Sequence, residues 1–174
     1  MKNLLIAATV CLCFTTSCNQ VAGWLGNESD STATVENNAI VWERDESINE
    51  SNAYSDLFLD SAAIENYISK ENVSDSSAQK IRNFYKVRNY QYAWFTTQGL
   101  TEQGRGIWSL QSAESVKTEA ALKQRMDSLM MNDSIFVQAG DSSYAQTELG
   151  LTEEFIAYAG MHKGIINESN LYYL

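Results

Sequence analysis

Thiolate or imidazole chemistry in this chain would have to come from three cysteines and one histidine. Cys11, Cys13 and Cys18 crowd the N-terminus, while His162 stands alone near the other end. A thiolate nucleophile needs a base and oxyanion donors beside it, and a structural zinc needs about four ligands. Neither set assembles, so the expected catalytic residues, metal ligands and cofactors are none. His162 follows Tyr158 by one helical turn near a helix end and reads as a packing or C-terminal capping group. Asp45-Glu46 and Glu153-Glu154 are adjacent carboxylates. On a helix such neighbours point about 100° apart and cannot share one proton, so the first pair reads as tether and the second as a solvated helix start. Gly104-Arg105-Gly106 lacks the preceding strand and further glycines of a dinucleotide loop, and no Gly-x-Ser-x-Gly elbow or Walker loop occurs. Tyr85, Tyr90, Tyr92, Trp94 and Phe95 form the densest aromatic group. They read as core at a helix-to-extended junction, with a platform for glycan stacking as the functional alternative.

The cysteines are better explained by export. Met1-Lys2-Asn3 is a short positive start, and Leu4 to Phe14 is an apolar stretch of eleven residues, too short for the roughly 20 that span a bilayer. Thr15-Thr16-Ser17 then runs into Cys18, which resembles the lipobox of bacterial lipoproteins with Thr15 in place of the usual Leu. That resemblance implies cleavage after residue 17 and lipidation of Cys18, a membrane anchor made of several acyl chains. Asn19-Gln20 after the cysteine, with no acidic run, implies a periplasm-facing protein of the bacterial envelope.

The elements follow from charge and period. The chain has 174 residues, 12 basic against 22 acidic, and no proline. A net charge of −10 without a basic stripe excludes nucleic acid as a partner. Nine acids against Arg44 alone fall between Asn19 and Asp60, so residues 18–60 read as a disordered acidic tether with a reach of roughly 35 Å. A short docked strand is expected near Ile40 to Trp42. From Ser61 on, apolar residues recur at helical spacing, which predicts a mainly α fold. Ala63, Ile64, Tyr67 and Ile68 mark a first helix. Ser76 and Gln79 stand at capping-box spacing before a second through Ile81, Phe84 and Tyr85. Residues 92–95 read as extended, 96–99 as a turn, and Thr101 as the cap of a third helix. A fourth runs from Val116 to Met131, and a fifth from Tyr144 to His162 with a joint at Gly150, where Thr152 recaps.

Two motifs resemble one family. Phe84-Tyr85-Lys86-Val87-Arg88-Asn89-Tyr90-Gln91-Tyr92-Ala93-Trp94-Phe95, followed by Gly99-Leu100-Thr101, looks like the start of the scaffold domain of periplasmic L,D-transpeptidases. Glu148-Leu149-Gly150-Leu151-Thr152-Glu153-Glu154-Phe155-Ile156-Ala157-Tyr158-Ala159, then Gly164-Ile165-Ile166, is similar to a later helix and turn of the same family. The resemblance makes Phe84, Tyr85, Arg88, Tyr90, Trp94, Gly99, Leu100, Leu151, Thr152, Phe155, Tyr158, Ala159 and Gly164 structural motif residues. It implies a small helical scaffold domain over residues 61–174, in an envelope protein that works on peptidoglycan. The family's enzymes form 3–3 cross-links through a cysteine in a separate downstream domain, whose histidine and Ser-x-Gly-Cys stretch do not occur here.

The chain is therefore expected to be no enzyme by itself: a scaffold portion parted from its catalytic half, ending on the apolar run Leu171-Tyr172-Tyr173-Leu174. The alternative is a stand-alone envelope lipoprotein that binds peptidoglycan or a wall-synthesis enzyme. Nothing in the sequence bears on oligomeric state.

Overall fold

A computed structural model describes residues 42–113, 118–132, 135–162 and 171. The export signal, Cys18, the first part of the tether with Ile40, Val116, the Gly164-Ile165-Ile166 turn and Tyr172 to Leu174 lie outside the described residues. Within them the fold is mainly α: α1 (Ser61–Lys70), α2 (Asp75–Val87), a hairpin of β1 (Phe95–Thr96) and β2 (Gly99–Leu100), α3 (Glu102–Ala113), α4 (Ala120–Met130) and α5 (Ser142–Met161).

Each helix start has a local cause. Asp60 caps α1 by accepting from the Ala62 N–H at 3.0 Å, and Ile64 and Tyr67 form its buried side. The cap of α2 is Ser74, not Ser76: its Oγ accepts from the Ser77 N–H at 3.3 Å. Asp75 then sits in the first turn, where its charge meets the positive helix end, and Gln79 bonds Asn83 instead of closing a capping box. Thr101 starts α3, its hydroxyl accepting from the Gly104 N–H at 3.0 Å, and Asp141 starts α5 by accepting from the Ser143 N–H at 2.8 Å.

Helix α2 stops in two left-handed residues, Asn89 (φ 52°) and Tyr90 (φ 65°), with the Tyr90 N–H reaching back to the Tyr85 carbonyl at 2.8 Å. For a tyrosine this conformation costs about 1 kcal/mol or more. It persists because residues before α1 hold it. The Leu59 N–H donates to the Tyr90 carbonyl at 2.7 Å, the Tyr92 N–H donates to the Leu57 carbonyl at 2.9 Å, and the Asn89 side chain donates to the Ile48 carbonyl at 2.6 Å.

The tether therefore ends earlier than residue 60. Leu57 and Leu59 are core residues, buried Ser55 donates to the Phe95 carbonyl at 2.6 Å, and Phe58 forms an antiparallel bridge with Gln91. Apolar period could not show this, because a three-residue bridge in an acidic stretch has too few positions to repeat. Trp42 packs against the core without belonging to a strand.

In the hairpin, Phe95 pairs with Leu100 and Thr96 with Gly99, leaving Thr97-Gln98 as a two-residue loop. Gly99 has φ +112°, and a Cβ there would lie 3.1 Å from the Ile135 carbonyl oxygen, so any side chain is strained and glycine is favoured. The described part of the fourth helix begins at Ala120, after Glu119, whose side chain makes no capping bond.

Helix α5 is the centre, and α1, α2, α3 and α4 all pack on it. Thr147 through Thr152 are buried without a break, as expected of a helix surrounded on all sides. There is no joint at Gly150: α5 runs through it unbroken, and a Cβ at that position would lie 3.2 Å from the Leu122 side chain. Leu171, which the sequence leaves as part of an unpaired apolar run, is buried in the core.

Candidate functional site

The motif residues meet where α2, the 92–95 segment and α5 converge. Phe84 stacks on Trp94 with centroids 5.9 Å apart and planes at 18°, and Phe155 closes the triangle at 6.0 Å from Phe84 and 5.6 Å from Trp94. One turn after Phe84, the Arg88 guanidinium lies 3.7 Å from the Phe84 ring centroid, and its Nε donates to the Phe84 carbonyl at 3.0 Å. Burial lowers the basicity of Arg88, while nearby Tyr85 and Glu148 favour its charge. Tyr85, next to Phe84 on the helix, points towards α5.

There it meets Glu148, which has no exposed surface. One carboxylate oxygen, Oε1, accepts from the Ala93 N–H at 2.6 Å and the Tyr85 hydroxyl at 3.0 Å; the other accepts from the Trp94 N–H at 3.0 Å. The 92–94 segment has no strand partner for these two buried amides, so an acid from another element supplies the acceptor. One turn on, Thr152 Oγ1 accepts from the Trp94 indole N–H at 2.8 Å and lies 2.5 Å from the Tyr85 hydroxyl and 3.0 Å from the Glu148 carbonyl. Trp94 is thus pinned at both ends, backbone by Glu148 and indole by Thr152.

The electrostatics are those of a dry site. Burial pushes Glu148 up to about 7, and the Ala93 and Trp94 amides, Tyr85 and Arg88 pull in the other direction without overcoming it. Burial, reinforced by the Glu148 charge, raises the Tyr85 phenol well above its ordinary value. With no exposed surface on Glu148, Tyr85 or Thr152, the cluster has no face open to a substrate. Its chemistry is to hold a backbone segment in place.

A family model described as Scaffold domain matches residues 79–174, from within α2 onward, and takes in the whole of this network. The chain belongs to the Scaffold domain family. No curated protein and no solved structure gives a match. The Leu57 bridge and α1 lie upstream of the matched residues, yet Leu57 and Ile64 are each only 1% exposed.

Of the motif residues, Phe84, Tyr85, Arg88, Trp94, Thr152 and Phe155 come together around Glu148 in the scaffold domain. Leu151 and Ala159 are buried on α5. Tyr90 shapes the end of α2, with the Arg44 guanidinium 5.3 Å from its ring centroid, and Gly99 and Leu100 make β2. Tyr158 is part-exposed and stacks on His162 at 4.3 Å, while His162 Nδ1 lies 3.0 Å from the Tyr158 carbonyl. That is the capping and packing role expected of the histidine. Gly164 and Cys18 fall outside the described residues. The aromatic group is core: Tyr85, Tyr92, Trp94 and Phe95 are buried, so these four offer no surface to a sugar ring.

Glu148 is the residue the sequence reading passes over. It stands in the quoted motif, but no role attaches to it. The available signal is an acid amid the apolar Leu149, Leu151 and Phe155.

A groove of about 580 Å³ opens between α1, α4 and α5, with Leu122 and Gly150 in its floor and Glu119, Glu153, Glu154 and Arg125 on its walls. Glu153 and Glu154 therefore belong to the middle of α5, not to a helix start. Glu153 accepts from the Tyr67 hydroxyl at 2.7 Å, and burial raises Glu154 above its ordinary value although Thr118 bonds it. Among the described residues no cluster of three or more metal-ligating side chains occurs.

Proposed function

We propose that this scaffold domain is the non-catalytic scaffold portion of a murein L,D-transpeptidase, held in the bacterial cell envelope by lipidation of Cys18 and facing the periplasm. One observation carries the reading. The two separated motifs that resemble the L,D-transpeptidase scaffold, 84–95 and 148–159, close on each other through Tyr85, Glu148, Trp94 and Thr152, inside the residues matched as a scaffold domain. A closed network of this kind suits a rigid support for chemistry done elsewhere.

The test uses purified stem peptides. The chain alone should form no 3–3 cross-linked dimers by mass spectrometry, and adding it to a separately expressed L,D-transpeptidase catalytic domain should raise that domain's yield. Cross-linking by the chain alone, or no effect on any such partner, would overturn the reading. Lipidation has its own readout: labelled fatty acid should enter the wild-type chain and not Cys18→Ala.

A second reading is a stand-alone envelope lipoprotein that binds peptidoglycan or a partner enzyme. The burial of Leu171 supports it, because that part of the apolar run is used within the domain itself. Co-sedimentation with sacculi, without any effect on a catalytic partner, would favour it.

A further inference from the structure

Glu148 is the one fully buried acidic side chain among the described residues, and it ties α5 to the 92–94 segment through the Ala93 and Trp94 amides. Its surroundings accept either protonation state without moving a heavy atom. When Glu148 is ionised, Tyr85 donates to Oε1, and the Trp94 indole donates to Thr152, whose own proton goes to Tyr85 or to the Glu148 carbonyl. When Glu148 is protonated, Oε1 donates to Tyr85, Tyr85 to Thr152 and Thr152 to the Glu148 carbonyl, while the Ala93 and Trp94 amides keep their acceptors. The two states differ in buried charge and in little else.

The segment it holds has a second fastening on the opposite side. Ser55 donates to the Phe95 carbonyl, and the Asp56 carboxylate accepts from the Thr97 N–H at 2.9 Å and from its hydroxyl. Burial raises Asp56, but the Thr97 hydroxyl and amide outweigh it and hold it below the ordinary range, so that fastening stays charged near neutral pH. The titratable groups facing Glu148 are Tyr85 and Arg88 from α2 and Tyr92 from the segment itself. Helices α1 and α4 meet α5 elsewhere, Tyr67 at Glu153 and Leu122 at Gly150, and the buried α3 residues Trp108 and Gln111 are neutral.

We propose that Glu148 is a proton-linked latch on the 92–101 segment: lifting this segment and its hairpin from α5 hydrates the carboxyl, whose O–H bond breaks and whose proton passes to solvent. The segment then opens more readily as the medium turns from acidic to alkaline. In water the carboxyl is ionised from about pH 5 upward, whereas in the closed state the loss of water holds its proton up to about pH 7, although the Ala93 and Trp94 amides and Tyr85 favour the charge. The latch belongs to the domain and does not depend on the proposed function.

Amide hydrogen exchange by NMR on the full chain tests it between pH 5 and pH 8, with rates corrected for the intrinsic pH dependence of exchange. Protection at Ala93 and Trp94 should fall by about tenfold or more over this range, and both should exchange ahead of Phe155, which reports global unfolding. Glu148→Gln should lose the pH dependence. Should that variant not fold, the carboxyl ¹³C signal of Glu148 in the wild type takes its place, and Tyr85→Phe should shift its midpoint upward by removing a donor. Protection independent of pH, exchange no faster at Ala93 and Trp94 than at Phe155, or a carboxyl midpoint in the ordinary glutamate range would each overturn the latch.

Discussion

Thr147 and Thr152 allow the Glu148 network to be weighed against an internal control. Both are buried on α5, and both hydroxyls bond the carbonyl one turn back, Thr147 to Ser143 at 2.8 Å and Thr152 to Glu148 at 3.0 Å. Replacing either by Val exchanges a hydroxyl for a methyl at nearly constant volume. In Thr147→Val the Ser143 carbonyl loses only a secondary bond, and stability should change by no more than about 0.5 kcal/mol. In Thr152→Val the same bond goes, and in addition the buried Trp94 indole N–H at 2.8 Å loses its acceptor, which costs about 1–3 kcal/mol. Tyr85 also loses its 2.5 Å partner but keeps Glu148 at 3.0 Å, which adds up to about 1 kcal/mol. The expected cost is about 1–4 kcal/mol. Urea unfolding followed by circular dichroism measures both variants, and the midpoint should fall for Thr152→Val with an unchanged slope. Equal costs for the two variants would refute the claim that Thr152 pins Trp94.

Global stability should depend on pH with an unusual sign. Because burial raises folded Glu148 to about 7 from 4.5, the folded state binds the extra proton between these values. Stability should then decline by up to about 3 kcal/mol as pH rises from about 5 to 7 and level off above 8. Asp56, Glu65 and Asp141 are shifted the other way, and their contributions vanish only as pH falls below about 4, outside that window. Urea midpoints at pH 5.5 and 8 check this. Gly99→Ala should cost about 1–2 kcal/mol in thermal unfolding, more than Gly140→Ala, because both have positive φ but only Gly99 also faces a backbone oxygen. Leu57→Ala should cost about 2–5 kcal/mol by the same assay although the residue precedes the matched family region; a cost near zero would mean that the bridge is dispensable.

Much of the helical layout was legible before any coordinates. Apolar spacing marks α1, α2 and α5, Thr101 announces α3, and residues 96–99 declare a turn that becomes a two-residue hairpin loop. The misreadings have local reasons. Ser74, Ser76 and Ser77 compete for one cap, and which hydroxyl wins depends on where the backbone leaves α1. Gly150 resembles a joint because its cost inside a helix is visible in sequence, whereas the close approach of Leu122 to it is not. The 55–59 stretch looks like tether because it ends a long acidic segment, while its contribution rests on alternate burial of Leu57 and Leu59 beside Tyr92 and Tyr90, which lie beyond two helices in the chain.

The candidate site was legible as types and not as an arrangement. The aromatic group and the Leu-Thr helix stand out in sequence, and the closure of each on the other does not, since no short-range rule links residues 85, 94 and 148.

Composition, helical period and two motifs by themselves determined a mainly α domain whose aromatic segment is important to it, because such properties are local and additive along the chain. Only the tertiary structure decided that Glu148 is the acceptor for the Ala93 and Trp94 amides and that Trp94 is held at both ends. The reason is physical: a carboxylate on a helix prefers water, and it becomes a buried fastening only when packing removes the water and places two amides and a phenol within hydrogen-bond reach.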